Sequence, residues 1–335
     1  MKNPIKIAEL MALLSDKATK NKAIQDYFIY VQTSPFNGEY QLKEEISLIF
    51  PESSYSEKEG FIGSGLKQQA MGKANNDSRE KRAKYYEKVK NDINRIRIVS
   101  EGDSWFQYPK FSVLGIGLTK DVKDIIDHLI DDSKFAIKSL DAGGDIIRNM
   151  YHGREYIKEL ANQNPKILLL SAGGNDFFEV FPKMLKENDD PTNIEGWLNP
   201  NYITELQVLS KYYEALLTEV ISKHPDIKII IHGYDYIMPK ADGKWIGAPM
   251  VGVGINNSDD RKKLIRFIMD EFNNYLMILA NKPEFQTNVH YLNLRGTVPQ
   301  DKNYWHDEIH PNDDGFRLIV EKYKVLINTI NTLIS

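Results

Sequence analysis

From Ile96 onward, short runs rich in β-branched residues alternate with longer stretches that carry apolar residues at helical spacing. Five runs have the length and composition of strands: 96–99, 135–140, 166–171, 227–232 and 289–294. The stretches predicted as helices are 121–130, 146–160, 203–223 and 261–280. Strands that alternate with helices imply right-handed crossovers and a parallel sheet with helices on both faces. The run from Ile167 to Leu170 has no polar position, which predicts a central strand buried on both sides.

Residues 1–95 do not show this alternation of strand-like and helix-like segments. A length of 335 residues favours about two domains. Apolar residues at helical spacing predict one or two helices near the start: Ile7, Leu10, Met11, Leu14, Ile24, Tyr27, Phe28 and Val31. A polar, glycine-bearing stretch over 60–81 is typical of a mobile linker, and 79–95 predicts another helix. We therefore expect a mostly helical extension, residues 1–95, followed by an α/β domain, residues 96–335. Candidate roles for the extension are a cap on that domain, oligomerisation or partner binding.

Charge and composition disfavour several classes of function. A net charge of −4 provides no global basic field for nucleic acid or an anionic membrane. The chain has no cysteine, which excludes disulfides, thiolate catalysis and cysteine-ligated zinc. It also has no run of about 18 apolar residues, so we expect no transmembrane segment. The apolar patch in the first twenty residues is interrupted by Glu9 and Asp16 and does not resemble a signal peptide. We therefore expect a cytoplasmic protein. Export by a route that needs no signal peptide stays an alternative.

Residues suited to chemistry follow four of the five predicted strands. The C-terminal ends of parallel strands meet at one edge of the sheet, where binding sites lie. At this edge we expect a serine, two glycines, an asparagine, an aspartate and a histidine: Ser104, Gly143, Gly144, Asn175, Asp307 and His310. Together they supply a nucleophile, donors for an oxyanion and an oriented base, which are the requirements of acyl transfer.

Each of these residues, taken alone, also has a simpler interpretation. Ser104 suits a helix N-cap, Gly144 a turn with positive φ, and Asn175 an Asx turn. Asp307 and His310 are two possible metal ligands, but no third ligand lies nearby at suitable spacing, so we expect no metal. The order of the whole set, each member after a predicted strand, favours the catalytic interpretation.

The same residues carry a resemblance to a known family. The chain resembles the SGNH/GDSL hydrolases in four blocks: Gly102-Asp103-Ser104, Gly144-Asp145, Gly173-Gly174-Asn175-Asp176 and Asp307-x-x-His310. The strings EGDSWFQYP, SAGGNDFFEVF and WHDEIHPNDDGFRLI resemble a bacterial branch with an aromatic cluster after the nucleophile. The resemblance covers about residues 96–330 and implies a flavodoxin-like three-layer sandwich with a parallel five-stranded sheet. The GxSxG elbow of α/β-hydrolases is absent around the serine, which points away from that fold.

The resemblance also implies a role for each matching residue. Ser104 Oγ attacks a carbonyl carbon, His310 takes and returns the proton, and Asp307 orients the imidazole. The oxyanion is received by the backbone N–H groups of Ser104 and Gly144 and by the side-chain amide of Asn175. This chemistry requires no metal and no other cofactor.

Some positions have competitors or different expected roles. Gly144 is preferred to Gly143 because the family's glycine commonly precedes an acidic or polar residue. His306 competes with His310 as the base, but it adjoins the aspartate, and consecutive loop residues seldom point at one partner. Two other carboxylates, Asp103 and Asp176, are expected to tie down loops by accepting backbone N–H bonds.

The activity implied by the resemblance is hydrolysis of O-acyl esters through an acyl-enzyme, as in an esterase or lipase. Side chains predicted to contact such a small-molecule or glycan ester are Trp105, Phe106, Tyr108, Phe177, Phe178 and His232, although some of these are expected to belong to the core. One alternative is a carbohydrate O-deacetylase, in which Trp and Tyr stack on sugar faces. Another is a scaffold whose residues 1–95 bind a partner. The intact set of Ser, Asn, Asp and His favours an enzyme.

Overall fold

In the computed structural model, residues 122–333 are described without a gap, as are residues 81–108 except 82 and 93, and shorter stretches of 3–49 and 112–117. The chain divides into two compact units. One consists of Met1–Glu80 and Pro109–Val122, and the other of Lys81–Tyr108 and Lys123–Ser335.

The second unit is built on a five-stranded parallel sheet. Its strands are β1 (Ile96–Gly102), β2 (Phe135–Ser139), β3 (Ile167–Ser171), β4 (Lys228–His232) and β5 (Val289–Leu292). They lie in the order β2-β1-β3-β4-β5, and all neighbours are parallel. This is the flavodoxin-like strand order. The prediction of an α/β fold with a parallel five-stranded sheet is therefore confirmed.

The central strand β3 shows why both faces of the sheet need helices. Ile167 pairs with Ile98 of β1 on one side and with Lys228 of β4 on the other. All four residues from Ile167 to Leu170 are fully buried, although their side chains alternate between the two faces. A strand of this kind needs apolar residues at every position, as its sequence has.

Helices surround the sheet. They are α1 (83–91), α2 (Ile125–Asp131), α3 (Ile147–Gly153), α4 (Glu155–Gln163), α5 (Gly174–Met184), α6 (Asn201–Lys223), α7 (Gly247–Gly252), α8 (Ser258–Ala280) and α9 (Asp313–Leu333). Helix α2 packs against α9 and β2, whereas α3, α5 and α8 pack against α6. These two groups of helices supply the outer layers of the sandwich.

Two predicted segments differ from the structure. The predicted helix 146–160 is two helices, because Arg154 adopts left-handed backbone angles between α3 and α4, with φ of 54°. The second segment is 172–202, where no helix is predicted but helix α5 begins at Gly174. Phe177, Phe181 and Met184 lie on its buried face at spacings of four and three, so the helical signal is present in the sequence.

The described residues of the first unit contain more strand than helix. Strand Phe28–Ser34 pairs with Asn37–Leu42 in an antiparallel hairpin, and Asn3–Lys6 pairs in parallel with Ile46–Ile49. One helix, Lys20–Tyr27, precedes the hairpin. The helix predicted to include Phe28 and Val31 is therefore a hairpin from Phe28 onward, whereas the expectation that residues 1–95 as a whole are mostly helical stays a prediction.

The helical prediction fails at Phe28 and Val31 for a physical reason. These residues fit a helical spacing, but they belong to a run of β-branched and aromatic residues that pairs with a neighbouring strand. Ile7, Met11, Leu14 and the predicted linker over 60–80 lie outside the described residues. A role of this region in oligomerisation or partner binding stays a prediction.

The second unit starts before residue 96, because helix α1 belongs to it. The Tyr85 side chain of α1 is buried, and its hydroxyl donates to Gln163 Oε1 of α4 at 3.0 Å. Lys81, at the start of this unit, is also buried and pairs with Asp124 at 3.0 Å. These contacts attach the segment to the sandwich.

Candidate active site

The residues expected at the C-terminal edge of the sheet lie there. Ser104 follows β1, Gly144 lies in a turn after β2, and Asn175 is in the first turn of α5 after β3. Asp307 and His310 lie in the segment between β5 and α9. The strand order brings the ends of β1, β2 and β3 together, because β1 lies between the other two.

Ser104, His310 and Asp307 form a continuous chain of hydrogen bonds. His310 Nδ1 lies 2.8 Å from Asp307 Oδ2, and His310 Nε2 lies 2.8 Å from Ser104 Oγ. An ionised carboxylate only accepts hydrogen bonds, so Nδ1 carries the proton that faces Asp307. Nε2 is then left to accept the Ser104 hydroxyl proton, which is the arrangement of a general base beside its nucleophile.

Asp307 is held and kept ionised by its neighbours. Its Oδ1 accepts the backbone N–H groups of Ile309 at 2.8 Å and His310 at 2.7 Å, so the loop closes around the carboxylate. Burial raises the pKa of Asp307, but the charge and hydrogen bond of His310 and the N–H of Ile309 outweigh it and lower the pKa to about 2. The carboxylate is therefore charged at neutral pH.

The competitor His306 is placed differently. Within the described part of the chain, its imidazole makes no hydrogen bond to Asp307 or Ser104, and its ring contacts the edge of Tyr108 at 5.3 Å between centroids. Its backbone N–H donates to the His310 carbonyl at 2.9 Å.

The loop that carries Ser104 is organised by Asp103. One oxygen of its carboxylate accepts the Trp105 N–H at 3.0 Å and the Ser171 hydroxyl at 2.9 Å, and the other accepts the Tyr234 hydroxyl. Burial raises the pKa of Asp103 to about 6, and the hydrogen bond from Tyr234 is the largest opposing influence. Gly102 is required here because a Cβ at this position would lie 2.4 Å from Cδ2 of Phe106.

The backbone N–H groups of Ser104 and Gly144 are candidates for binding an anion. Gly144 has φ of 85°, which favours glycine, in a turn closed by the Asp145 N–H donating to the Ala142 carbonyl at 3.1 Å. Among the residues that the structure describes, neither the Ser104 N–H nor the Gly144 N–H has a hydrogen-bond partner.

Asn175 presents its amide from the start of α5. One hydrogen of its Nδ2 is donated to the Asp145 carbonyl at 2.6 Å, and the amide group has a second hydrogen to donate. The turn before it needs glycine at Gly173, where φ is 97°. The next residue, Asp176, accepts the Ile147 N–H at 3.0 Å and so ties α5 to α3. The expectation that Asp103 and Asp176 tie down loops is confirmed.

The side chains predicted to contact substrate are all buried: Trp105, Phe106, Tyr108, Phe177, Phe178 and His232 are at most 5% exposed. The His232 ring packs against Trp105 and Phe106 and is edge-on to Tyr234, so it is a core histidine. Burial lowers the pKa of His232 to about 4, which keeps it neutral. Tyr108 differs from the other five, because its ring lies edge-on to His310, with 5.2 Å between centroids.

The described residues provide no metal centre and no membrane span. Nowhere in them do three His, Asp or Glu side chains group as metal ligands would. None of the helices in this part of the chain is long and apolar enough to cross a bilayer.

Two buried residues at this edge were not anticipated. Tyr234 follows β4, and the rule that sites lie at strand ends, applied to this strand also, points to it. Glu308 lies inside the Asp-x-x-His block and accepts three backbone N–H groups from residues 245–247. No local pattern predicts that contact, because the donors lie far away in sequence.

Comparison with known proteins gives matches at two levels. Residues 129–318, more than half of the chain, match the model of the GDSL-like lipase/acylhydrolase family. The matched range begins after Ser104 and includes Gly144, Asn175, Asp307 and His310. No curated protein sequence gives a match.

Several solved structures are similar at low identity. An acetyl xylan esterase, AlAXEase, is 17% identical, with 69% of this chain and 100% of that chain covered and a TM-score of 0.43. A catalytic mutant of an acetylxylan esterase from Geobacillus stearothermophilus is 14% identical, with 68% and 91% covered and a TM-score of 0.40. A putative GDSL-like lipase from Bacteroides ovatus is 18% identical, with 71% and 54% covered and a TM-score of 0.44.

The family model covers strands β2 to β5, from the end of α2 to the start of α9, and with them the blocks that hold the asparagine and the Asp–His pair. With the strand order and the matched range in agreement, the chain belongs to the GDSL-like lipase/acylhydrolase family.

Proposed function

We propose that this protein is a serine ester hydrolase that cleaves O-acyl esters through an acyl-enzyme intermediate. The observation that carries the proposal is the chain of hydrogen bonds from Asp307 through His310 to Ser104, with 2.8 Å at each histidine nitrogen. Membership of an acylhydrolase family supports the same reaction class. A protein that served only as a scaffold would have no need of an aligned nucleophile, base and carboxylate.

In the first half-reaction, Ser104 Oγ attacks the ester carbonyl carbon while its proton passes to His310 Nε2. The carbonyl oxygen becomes an oxyanion and accepts hydrogen bonds from the Ser104 and Gly144 N–H groups and from the second Nδ2 hydrogen of Asn175. Asp307 stabilises the imidazolium that forms. His310 then gives the proton to the leaving alkoxide oxygen, and the acyl group stays on Ser104.

In the second half-reaction, water takes the place of the alcohol. His310 Nε2 removes a proton from the water as it attacks the acyl carbon, and the same donors receive the second oxyanion. Collapse of this intermediate breaks the bond to Ser104 Oγ, which regains the proton from His310. The products are a carboxylic acid and free enzyme.

Replacement of the nucleophile tests the proposal. Ser104→Ala is expected to lower kcat for p-nitrophenyl acetate on the order of 10⁴-fold or more, with the fold intact by circular dichroism. Ser222→Ala is the matched control, since this serine is on helix α6 and donates only to the Glu219 carbonyl. A serine-directed phosphonate should add to the wild type at Ser104 in intact-mass and peptide measurements. Retention of most activity in Ser104→Ala contradicts the assignment of the nucleophile.

The histidine pair tests the base in the same assay. His310→Gln is expected to be nearly inactive, whereas His306→Gln keeps most of its activity. The reverse result would assign the base to His306.

A series of esters from acetate to decanoate, run beside an acetylated oligosaccharide, defines the substrate class. Preference for longer acyl chains fits a lipase-like esterase. Preference for the acetylated sugar identifies a carbohydrate O-deacetylase, and no turnover with any ester supports a scaffold.

A further inference from the structure

The Tyr234 hydroxyl joins the two segments that carry the nucleophile and the asparagine. It donates to the carboxylate of Asp103, the residue before Ser104. It also accepts the backbone N–H of Gly174, the residue before Asn175, at 2.9 Å. One oxygen atom thus links the end of β1 to the beginning of helix α5.

The surrounding side chains leave this hydroxyl little freedom. Tyr234 is 3% exposed, and its ring stacks on Phe272 with 15° between the planes and packs edge-on against Trp105 at 5.0 Å. A Cβ on Gly174 would lie 2.7 Å from Cζ of the tyrosine ring, so glycine is needed for the backbone to come this close. The close approach of backbone and ring brings the N–H within reach of the hydroxyl oxygen.

The hydroxyl satisfies both partners with a single oxygen atom. A carboxylate needs a donor and a backbone N–H needs an acceptor, and the tyrosine O–H group is both. Phenylalanine at this position would fill nearly the same space but leave the Gly174 N–H buried without an acceptor and Asp103 with one donor fewer. An unsatisfied buried group of this kind favours a shift of the backbone towards some other partner.

We propose that Tyr234 is a positioning residue that sets the distance between Ser104 and the Asn175 amide, and with it the geometry of the oxyanion site. This role rests on the proposed function. Tyr234 contacts Asp103 and Gly174 rather than the reacting atoms, so it acts through its neighbours. A displacement of about 1 Å in such a site costs on the order of 100-fold in rate.

Tyr234→Phe tests this role, with Tyr213→Phe as the matched control. The Tyr213 hydroxyl is equally buried and donates to the carbonyl of Ala172, in the same segment before α5, at 2.8 Å. Each substitution removes one buried hydroxyl, but only Tyr234 bridges two loops. The concentration of active sites is measured by labelling Ser104 with a phosphonate, and kcat is calculated from that concentration. Unfolded molecules, which do not react, are thereby left out of kcat. We expect Tyr234→Phe to lower this kcat roughly 10- to 100-fold with KM unchanged, and Tyr213→Phe to stay within about twofold of the wild type.

A second measurement tests the hydrogen bond between the Gly174 N–H and the Tyr234 hydroxyl without substrate. Hydrogen exchange of the Gly174 amide should become faster in Tyr234→Phe and stay protected in Tyr213→Phe, because only the first loses the acceptor. Unchanged Gly174 exchange, or a wild-type kcat per labelled site in Tyr234→Phe, overturns the positioning role while the proposed function stands. A wild type that neither labels nor hydrolyses esters contradicts the proposed function itself, and the positioning role with it.

Discussion

Asn175 allows the stabilisation of the transition state to be measured at a single side chain. In the proposed mechanism the oxyanion exists only after Ser104 has attacked, so a donor aimed at it stabilises the transition state more than the bound substrate. The Asp145 carbonyl accepts one hydrogen of the Asn175 amide at 2.6 Å and so fixes the orientation of the other. The side chain is therefore preorganised before substrate binds.

We expect Asn175→Ala to lower kcat by ~10²–10³-fold, or about 2.7–4 kcal/mol, with little change in KM. Asn175→Asp should be at least as damaging, because a carboxylate would face both the Asp145 carbonyl and the oxyanion. Steady-state kinetics on p-nitrophenyl acetate measures both variants, and circular dichroism checks the fold. An increase in KM at constant kcat in Asn175→Ala would show that Asn175 binds the substrate only.

The connection between β4 and helix α8 is attached through Glu308 to the loop that contains Asp307 and His310. This carboxylate is buried and accepts the N–H groups of Trp245 at 2.6 Å, Ile246 at 3.0 Å and Gly247 at 3.1 Å. A Cβ on Gly243 would lie 1.9 Å from Glu308 Oε2, so the chain passes directly over the carboxylate. The loop that contains Asp307 and His310 and the start of α7 are thus held together by one side chain.

Glu308→Ala should destabilise the fold by about 1–3 kcal/mol, because three backbone donors lose their acceptor in a buried place. Urea unfolding measures the free energy, and hydrogen exchange should show residues 245–247 opening first. Glu321→Ala is the control, since this exposed glutamate of α9 pairs with Lys324 at the surface and its replacement should change the free energy of unfolding by less than about 0.5 kcal/mol. Equal stability of the two variants would show that Glu308 does not hold the connection.

A buried ion pair joins Lys81, a residue outside the predicted domain boundary, to the rest of the second unit. Lys81 Nζ donates to Asp124 Oδ2 at 3.0 Å and to the Phe106 carbonyl at 3.1 Å, and Asp124 in turn accepts the Tyr108 N–H at 3.0 Å. Lys81 and Asp124 are 3% and 0% exposed. Burial disfavours the ammonium ion, but the nearby carboxylates, Asp124 first, outweigh it and hold the pKa of Lys81 above its ordinary value.

Lys81→Met should therefore destabilise the unit by about 3–5 kcal/mol, because it leaves Asp124 buried without its counter-ion. Lys123→Met is the matched control: Lys123 pairs with Asp131 at 2.6 Å, but these side chains are 50% and 49% exposed. Such an exposed pair contributes roughly 0–1 kcal/mol. Urea unfolding measures the free energy of unfolding of both variants. If Lys81→Met lowers this free energy no more than the control does, the ion pair of Lys81 does not stabilise the sandwich.

Local sequence determined the strands of the sheet, most of its helices and the residues gathered at its edge. Burial on two faces forces every position from Ile167 to Leu170 to be apolar, and this pattern is legible without any contact information. The C-terminal ends of parallel strands share one edge of the sheet. Ser104, Asn175 and His310 could therefore be placed together because each follows a predicted strand along the chain.

Tertiary structure decided what no local pattern encodes. The hairpin partner of Phe28–Ser34 overrode a helical spacing, and packing buried Trp105 and His232 in the core where the sequence suggested substrate contacts. The bonds of Tyr234 to Asp103, of Glu308 to Trp245, and of Lys81 to Asp124 join residues far apart in the chain. The periodicity of apolar residues indicates only which face of a helix or strand is apolar. The long-range hydrogen bonds depend on which helices, strands and loops become neighbours. The packing of the whole unit decides those neighbours.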